Sequence, residues 1–106
     1  MIKSNSTPRI SITDARNYTR QALRRITEPI ALTYHEQIIA YFIPIEFLDR
    51  RIGQHPKETV ALPMTEVRDV YYSAVEDTPI ILITFRKRAT IYLIREDKYR
   101  QLFLRR

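Results

Sequence analysis

The stretch Pro29–Leu48, PIALTYHEQIIAYFIPIEFL, decides the fold. Two apolar runs rich in β-branched and aromatic residues, Ile30–Tyr34 and Ile38–Ile43, flank the polar triplet His35-Glu36-Gln37. Pro44 halts the second run, and Ile45, Phe47 and Leu48 open an amphipathic segment. Runs of this length, split by a polar turn, predict a β-hairpin leading into a helix. The same parts return in the same order in Pro79–Tyr99, PIILITFRKRATIYLIREDKY. A proline opens an apolar run that ends in Thr plus an aromatic residue, Thr33-Tyr34 and then Thr84-Phe85. Three polar residues, a second run and an acidic helix start follow in each. Self-similarity at about 50 residues predicts two copies of one unit.

Upstream of the first hairpin, Ile10-Ser11-Ile12 alternates as a short strand does. Thr13 is placed to cap a helix, with Asp14 in its first turn. Ala15, Tyr18, Ala22, Leu23 and Ile26 recur at three- and four-residue spacing, which predicts one buried stripe on one continuous helix. Glu28-Pro29 ends it, because the residue before proline is pushed out of the helical region. On the other face Arg16, Arg20 and Arg24 fall at i, i+4, i+8, and Arg25 adjoins them. Like charges so spaced oppose the helix by roughly 0.2–0.5 kcal/mol per pair. Residues 1–26 hold six Lys or Arg against one Asp. A row of arginines kept against local preference suits a face that follows phosphates. Residues 1–9, with Lys3 and Arg9, extend that charge as a mobile basic arm. The bland alternative for both is a solvated, arginine-rich surface.

Residues 53–59 form a linker that holds the sole glycine, Gly53, with Pro56 and His55. Beyond it Val60-Ala61-Leu62 predicts a strand, and Thr65-Glu66 repeats the cap and acid of the first helix. Val67, Val70, Tyr71 and Ala74 make its stripe. Arg68 takes the place of Arg16, but Asp69 and Glu76 accompany it instead of further arginines. The second hairpin is tipped by Arg86-Lys87-Arg88 where the first has His-Glu-Gln. Glu96–Leu102 forms a last helical segment.

Composition bounds the rest. A chain of 106 residues makes one domain or two very small ones. Its 44% apolar content can fill a core. The absence of cysteine removes any disulfide framework or thiol-based metal site. Two histidines without ligand spacing, His35 and His55, do not point to a metal. The start, MIKSNSTPRI, lacks the apolar core of a signal peptide, and no apolar run approaches the ~18 residues of a membrane helix. A cytoplasmic protein is therefore expected, with no cofactor. A net charge of +6 favours an anionic partner without specifying it. No glycine-rich phosphate loop, paired-carboxylate motif or serine beside a base is present, so an enzyme is not expected.

ISITDAR (10–16), an amphipathic helix, EPIALTY (28–34) and IIAYFIPIEFL (38–48) together resemble the N-terminal domain of Phd/YefM-type antitoxins. MTEVR (64–68), AVEDTPIILIT (74–84) and IYLIREDKY (91–99) resemble it again. The resemblance covers roughly residues 10–52 and 64–103. It implies an α+β fold of two tandem β-α-β-β-α units, 10–52 and 60–106, pairing through sheet and helices as a pseudo-twofold dimer within one chain. Association with a further copy is left open. It also implies autoregulatory binding to palindromic operator DNA, with Arg16 and Arg68 at the family's helix-start position. Tyr34 and Phe85 stand where the family carries a basic residue, and neither turn has the family's glycine. Arg86, Lys87 and Arg88 could substitute for that contact. The family's extended toxin-neutralising segment has no counterpart, because that length goes to the second unit.

The function expected is that of a double-stranded-DNA-binding transcriptional regulator of type II antitoxin kind. Lys3, Arg9, Arg16, Arg20, Arg24 and Arg25 would make the contacts, joined by Arg68 and the Arg86–Arg88 tip. The alternative is a protein-interaction module that binds a toxin or another protein without DNA.

Overall fold

The computed structural model describes residues 7–53 and 56–104. Lys3, most of the basic arm, His55 and the final Arg105-Arg106 lie outside the described residues. The first half of the chain runs β1 (Arg9–Ser11), α1 (Ile12–Ala15), α2 (Arg20–Arg24), β2 (Ile30–Tyr34), β3 (Gln37–Ile43) and α3 (Ile45–Ile52). The second runs β4 (Val60–Pro63), α4 (Met64–Val67), α5 (Tyr71–Asp77), β5 (Ile80–Phe85), β6 (Arg88–Arg95) and α6 (Glu96–Tyr99). A 3-10 turn, Arg68–Val70, joins α4 to α5, and a π-helical turn, Arg100–Leu104, extends α6. All the strands join one six-stranded sheet in the order β1-β2-β3-β6-β5-β4, so the protein is a mixed α+β domain.

That order has the same form from either edge. The outer strand pairs parallel with its neighbour on each side, and each hairpin is antiparallel. The hairpins meet antiparallel at β3–β6, where Phe42 lies opposite Leu93, Tyr41 opposite Ile94 and Ile43 opposite Tyr92. Phe42 and Leu93 hold equivalent positions in the two hairpins, as do Tyr41 and Tyr92. The sheet is thus symmetric about the Phe42–Leu93 pair, and the two hairpin tips lie at its opposite ends. Each hairpin also slips register at the same place, after Leu32 and after Ile83.

The sheet is covered on both faces, which is why its central strands are continuous apolar runs and not alternating ones. On one face Leu32, Phe42, Ile83, Ile91 and Leu93 pack with Leu23, Val67, Tyr71 and Val75 from the α1–α2 and α4–α5 segments. On the other, Tyr41, Ile43, Tyr92 and Ile94 pack with Leu48 of α3 and Tyr99 of α6. Packing crosses the seam. The Tyr41 ring of the first half stacks on Tyr99 of the second at 3.9 Å, and the Phe42 ring meets Tyr71 edge-on at 5.6 Å. Neither half completes its own core.

The helices depart from the sequence expectation. The helix expected across residues 13–26 is two short ones, separated at Asn17–Thr19. Ser11, not Thr13, caps the first by accepting from the Asp14 N–H at 3.1 Å. Thr19 caps the second by accepting from the Ala22 N–H at 3.1 Å. Each hydroxyl satisfies an amide that the new helix start would otherwise orphan. The buried stripe survives the break, since Ala15 and Leu23 are fully buried and Tyr18 and Ile26 partly so. The second copy breaks at its 3-10 turn, and Pro63, not Thr65, stands at its N-cap.

Both hairpin turns hold two residues, not three. His35 and Glu36 have φ of 51° and 65°, and Arg86 and Lys87 have 52° and 68°. Positive φ at both central positions is the type I′ pattern, which normally draws Asn-Gly. Here four side-chain-bearing residues occupy it, at a cost of ~1–2 kcal/mol each. The sole glycine, Gly53, sits instead at the left-handed end of α3 (φ 88°), its N–H donating to the Asp49 carbonyl at 2.9 Å.

Candidate nucleic-acid interface

The end of the sheet at the second hairpin tip gathers cations from distant parts of the chain. Phe85, the last residue of β5, offers a half-exposed ring. The Arg20 guanidinium lies over it at 4.5 Å from the ring centre, and that of Arg86 at 5.4 Å. Arg20, Phe85, Arg86 and Arg88 line one open cavity of about 250 Å³. No carboxylate lines it, and no ion pair engages these arginines among the described residues. A guanidinium on an aromatic face gains about 0.5–1 kcal/mol at an exposed site. The contact biases the side chain toward the ring while leaving its N–H groups able to donate outward. Thr19 sets this geometry, because its cap starts α2 at Arg20 and turns that side chain toward β5.

Arg24 lies one turn further along α2, beside a second cavity of about 380 Å³. Arg50 of α3 enters the same cavity, with Glu46, Thr27 and Thr90. Sequence reasoning passed over Arg50 because Glu46 lies four residues before it, a spacing that accounts for a cation with no further role. Lys87 is exposed at the turn itself. One end of the sheet therefore carries Arg20, Arg24, Arg50, Arg86, Lys87 and Arg88.

The remaining candidates are placed elsewhere. The break between α1 and α2 dissolves the expected row of Arg16, Arg20 and Arg24. Arg16 is the C-cap of α1, where a cation agrees with the helix dipole instead of opposing it. Arg68 holds the equivalent C-cap of α4. Arg25 points to a different cleft, with Tyr18, Ile26 and Glu28. Arg9, on edge strand β1, lies beside Glu36 at the far hairpin tip.

That far tip is the positional counterpart of the basic one. Tyr34 replaces Phe85, and its ring lies 4.8 Å from that of Tyr72, which replaces Arg20. His35, Glu36 and Gln37 replace Arg86, Lys87 and Arg88. Nearby, Arg95 donates to both carboxylate oxygens of Asp97, at 2.7 and 3.0 Å, and to the Glu76 carbonyl at 3.2 Å. The Arg95 guanidinium holds the Asp97 carboxyl below its ordinary range. It also ties the end of α5 to the start of α6.

Two buried phenols are perturbed. Burial pushes Tyr71 up to about 12, and its hydroxyl has no hydrogen-bond partner among the described residues. Tyr92 is pushed up to about 12 by burial and by the Asp49 carboxylate. Neither borders the basic end.

An outward-facing set of guanidinium groups with no carboxylate in its first cavity can bind phosphate oxygens. Among the described residues no group of three or more His, Cys, Asp or Glu is placed to hold a metal ion, and no helix is long and apolar enough to cross a membrane. No family model matches the chain, and neither a curated protein nor a solved structure matches it.

Proposed function

We propose that the chain binds double-stranded DNA as a transcriptional regulator of the type II antitoxin kind, working in the cytoplasm, with the end built on Phe85 as its contact surface. The observation that carries this is the convergence of Arg20 and Arg86 on the Phe85 ring, with Arg88 lining the same cavity and no carboxylate among them. Arginine rows alone are common on solvated surfaces. Arginines from α2 and from a hairpin some sixty residues away in sequence, sharing one support, make a rigid donor array. Arg24, Arg50 and Lys87 extend it to a width that follows several phosphates. On this reading the two halves are Phd/YefM-like units that pair within a single chain. The β-α-β-β-α order occurring twice and the symmetric sheet support it.

Affinity carried by phosphates falls steeply with salt, by about 0.9 log units per log unit of salt for each phosphate neutralised. Anisotropy titrations of a random-sequence duplex across a salt series test the proposal. R20A/R86A should weaken binding at least tenfold and flatten the slope by about 2. Unchanged affinity and slope would remove this end as the DNA surface. Selection of duplexes from a random pool would then reveal any operator.

A second reading, a protein-interaction module that takes a toxin or another protein, is favoured by the edge strand β4. Val60 there is 44% exposed, and the open side of the strand has free backbone groups suited to an added strand. A pull-down that recovers one stable protein partner, lost on Ala61→Pro, with no DNA retained at moderate salt, would favour it over the first.

A further inference from the structure

The two ends of the sheet share one architecture and carry opposite charge. At the basic end Leu23, Arg24, Pro44, Ile45, Glu46 and Thr90 border the larger cavity. At the other end their positional counterparts, Val75, Glu76, Arg95, Glu96, Asp97 and Ile39, border a cavity of about 260 Å³. Two charged positions invert: Arg24 becomes Glu76 and Lys87 becomes Glu36. Two cations at the acidic end are engaged in ion pairs, and Arg9 is not among the described residues. Arg95 is held by Asp97, Arg100 by Glu96 at 3.2 Å, and Arg9 lies beside Glu36. Glu36 and Glu76 are exposed, and neither takes part in an ion pair among the described residues.

We propose that the acidic end is a docking site for the basic end of a second copy of this chain, in a head-to-tail arrangement. The Arg86-Lys87 turn of one copy would enter between Glu36 and Glu76 of the next. Tyr34 and Tyr72 pack on each other at 4.8 Å and are 41% and 40% exposed, which puts aromatic surface beside the incoming turn. Ile38, Ile39 and Val75 give the cavity an apolar floor for the arginine stems. A closed two-fold dimer through either end would set like charges against each other, which disfavours it. A heterologous contact leaves one basic and one acidic end free, so copies add in series.

Sedimentation velocity on the full chain, freed of nucleic acid, tests this separately from DNA binding. At about 30 mM salt the weight-average mass should climb with concentration past two copies, and at about 0.5 M it should return to one copy as the charges are screened. E36K/E76K and R86E/R88E should each sediment as a single copy. Mixed in equal amounts they should again grow past two copies, since the reversed charges of one variant complement those of the other. The neutral versions E36Q/E76Q and R86Q/R88Q guard against misfolding, with circular dichroism as the check, and should also remain single copies. A wild-type chain that stays a single copy at low salt overturns the proposal. So does growth that persists in either double variant, or a mixture that fails to associate.

Discussion

The two hairpin tips are built alike and furnished differently. Each has a two-residue turn with positive φ, a register slip at the same place, an aromatic residue at the strand end and a helix from the other half lying against that residue. One tip carries Arg20, Arg86 and Arg88 around Phe85, and the other carries Tyr72, His35 and Gln37 around Tyr34. What the two share is backbone and buried contact. What separates them is confined to side chains that reach water. Substitutions there cost little stability, so the two halves of the sheet can differ in chemistry while their cores stay matched.

The comparison presumes a single cooperative body, and the strongest way to break it is at the seam. Phe42→Ala removes a fully buried ring at the symmetry point and should cost about 3–5 kcal/mol. Urea unfolding followed by far-ultraviolet circular dichroism and by amide exchange should lose both halves in one transition. Two separate transitions would mean that the ends belong to independent units. Next in size is the functional contrast. H35A/Y72A alters the positional counterparts of Arg86 and Arg20, and duplex affinity should change less than about twofold, against at least tenfold for the arginine pair. Equal losses from both variants would abolish the distinction between the ends.

A smaller effect separates the helices behind the tips. α2 starts behind the Thr19 cap, whereas α5 starts with no side-chain cap and carries the unpartnered Tyr71 hydroxyl. Tyr71→Phe should raise stability by about 1 kcal/mol, because it removes a buried hydroxyl with no partner among the described residues. It should also soften the alkaline limit. The folded phenol is raised to about 12 against 10.0 unfolded. Its contribution is therefore complete below pH 10 and is lost as pH rises from 10 toward 12, where the unfolded chain releases the proton first. The loss is on the order of 1 kcal/mol per pH unit. Urea midpoints at pH 8 and pH 11 measure both effects. The smallest effect should be the same at either tip. Glu36→Gly and Lys87→Gly each relieve a positive φ and should stabilise by about 0.5–1 kcal/mol, read as a rise of a few degrees in Tm. Opposite signs at the two tips would show that the turns are not equivalent.

The strands were legible because burial on both faces writes them as unbroken apolar runs. β2 begins and ends at the residues its pattern marked, Ile30 and Tyr34, and Pro44 marks where β3 gives way to α3. The helix break was not legible, because a stripe at three- and four-residue spacing is compatible with one long helix or two short ones on the same face. Asn17 and Thr19 were the available signals, poor in a helix interior and good at its boundaries. The hairpin turns were misjudged by one residue because nothing in His-Glu or Arg-Lys announces positive φ. Of the candidate site, the cation-rich segments were visible locally. Their meeting at Phe85 was not, since it depends on α2 reaching across the seam to β5. Arg50 was hidden by a neighbour of opposite sign.

The β3–β6 seam also sets how the chain must fold. Each hairpin closes over a two-residue turn, an event of about 1–10 μs, and the parallel outer strands add next to their own hairpins. The seam instead joins residues no nearer in sequence than Ile43 and Tyr92, so nearly half of the chain must be looped before its first pair forms. Loop-closure entropy is spent there before any central contact is gained, which predicts this closure as the rate-limiting step. Until it happens, β3 and β6 each present an unpaired apolar edge. A half-translated chain has one such edge and no partner for it, so the interval before the second hairpin emerges is when this protein is most prone to self-adhesion.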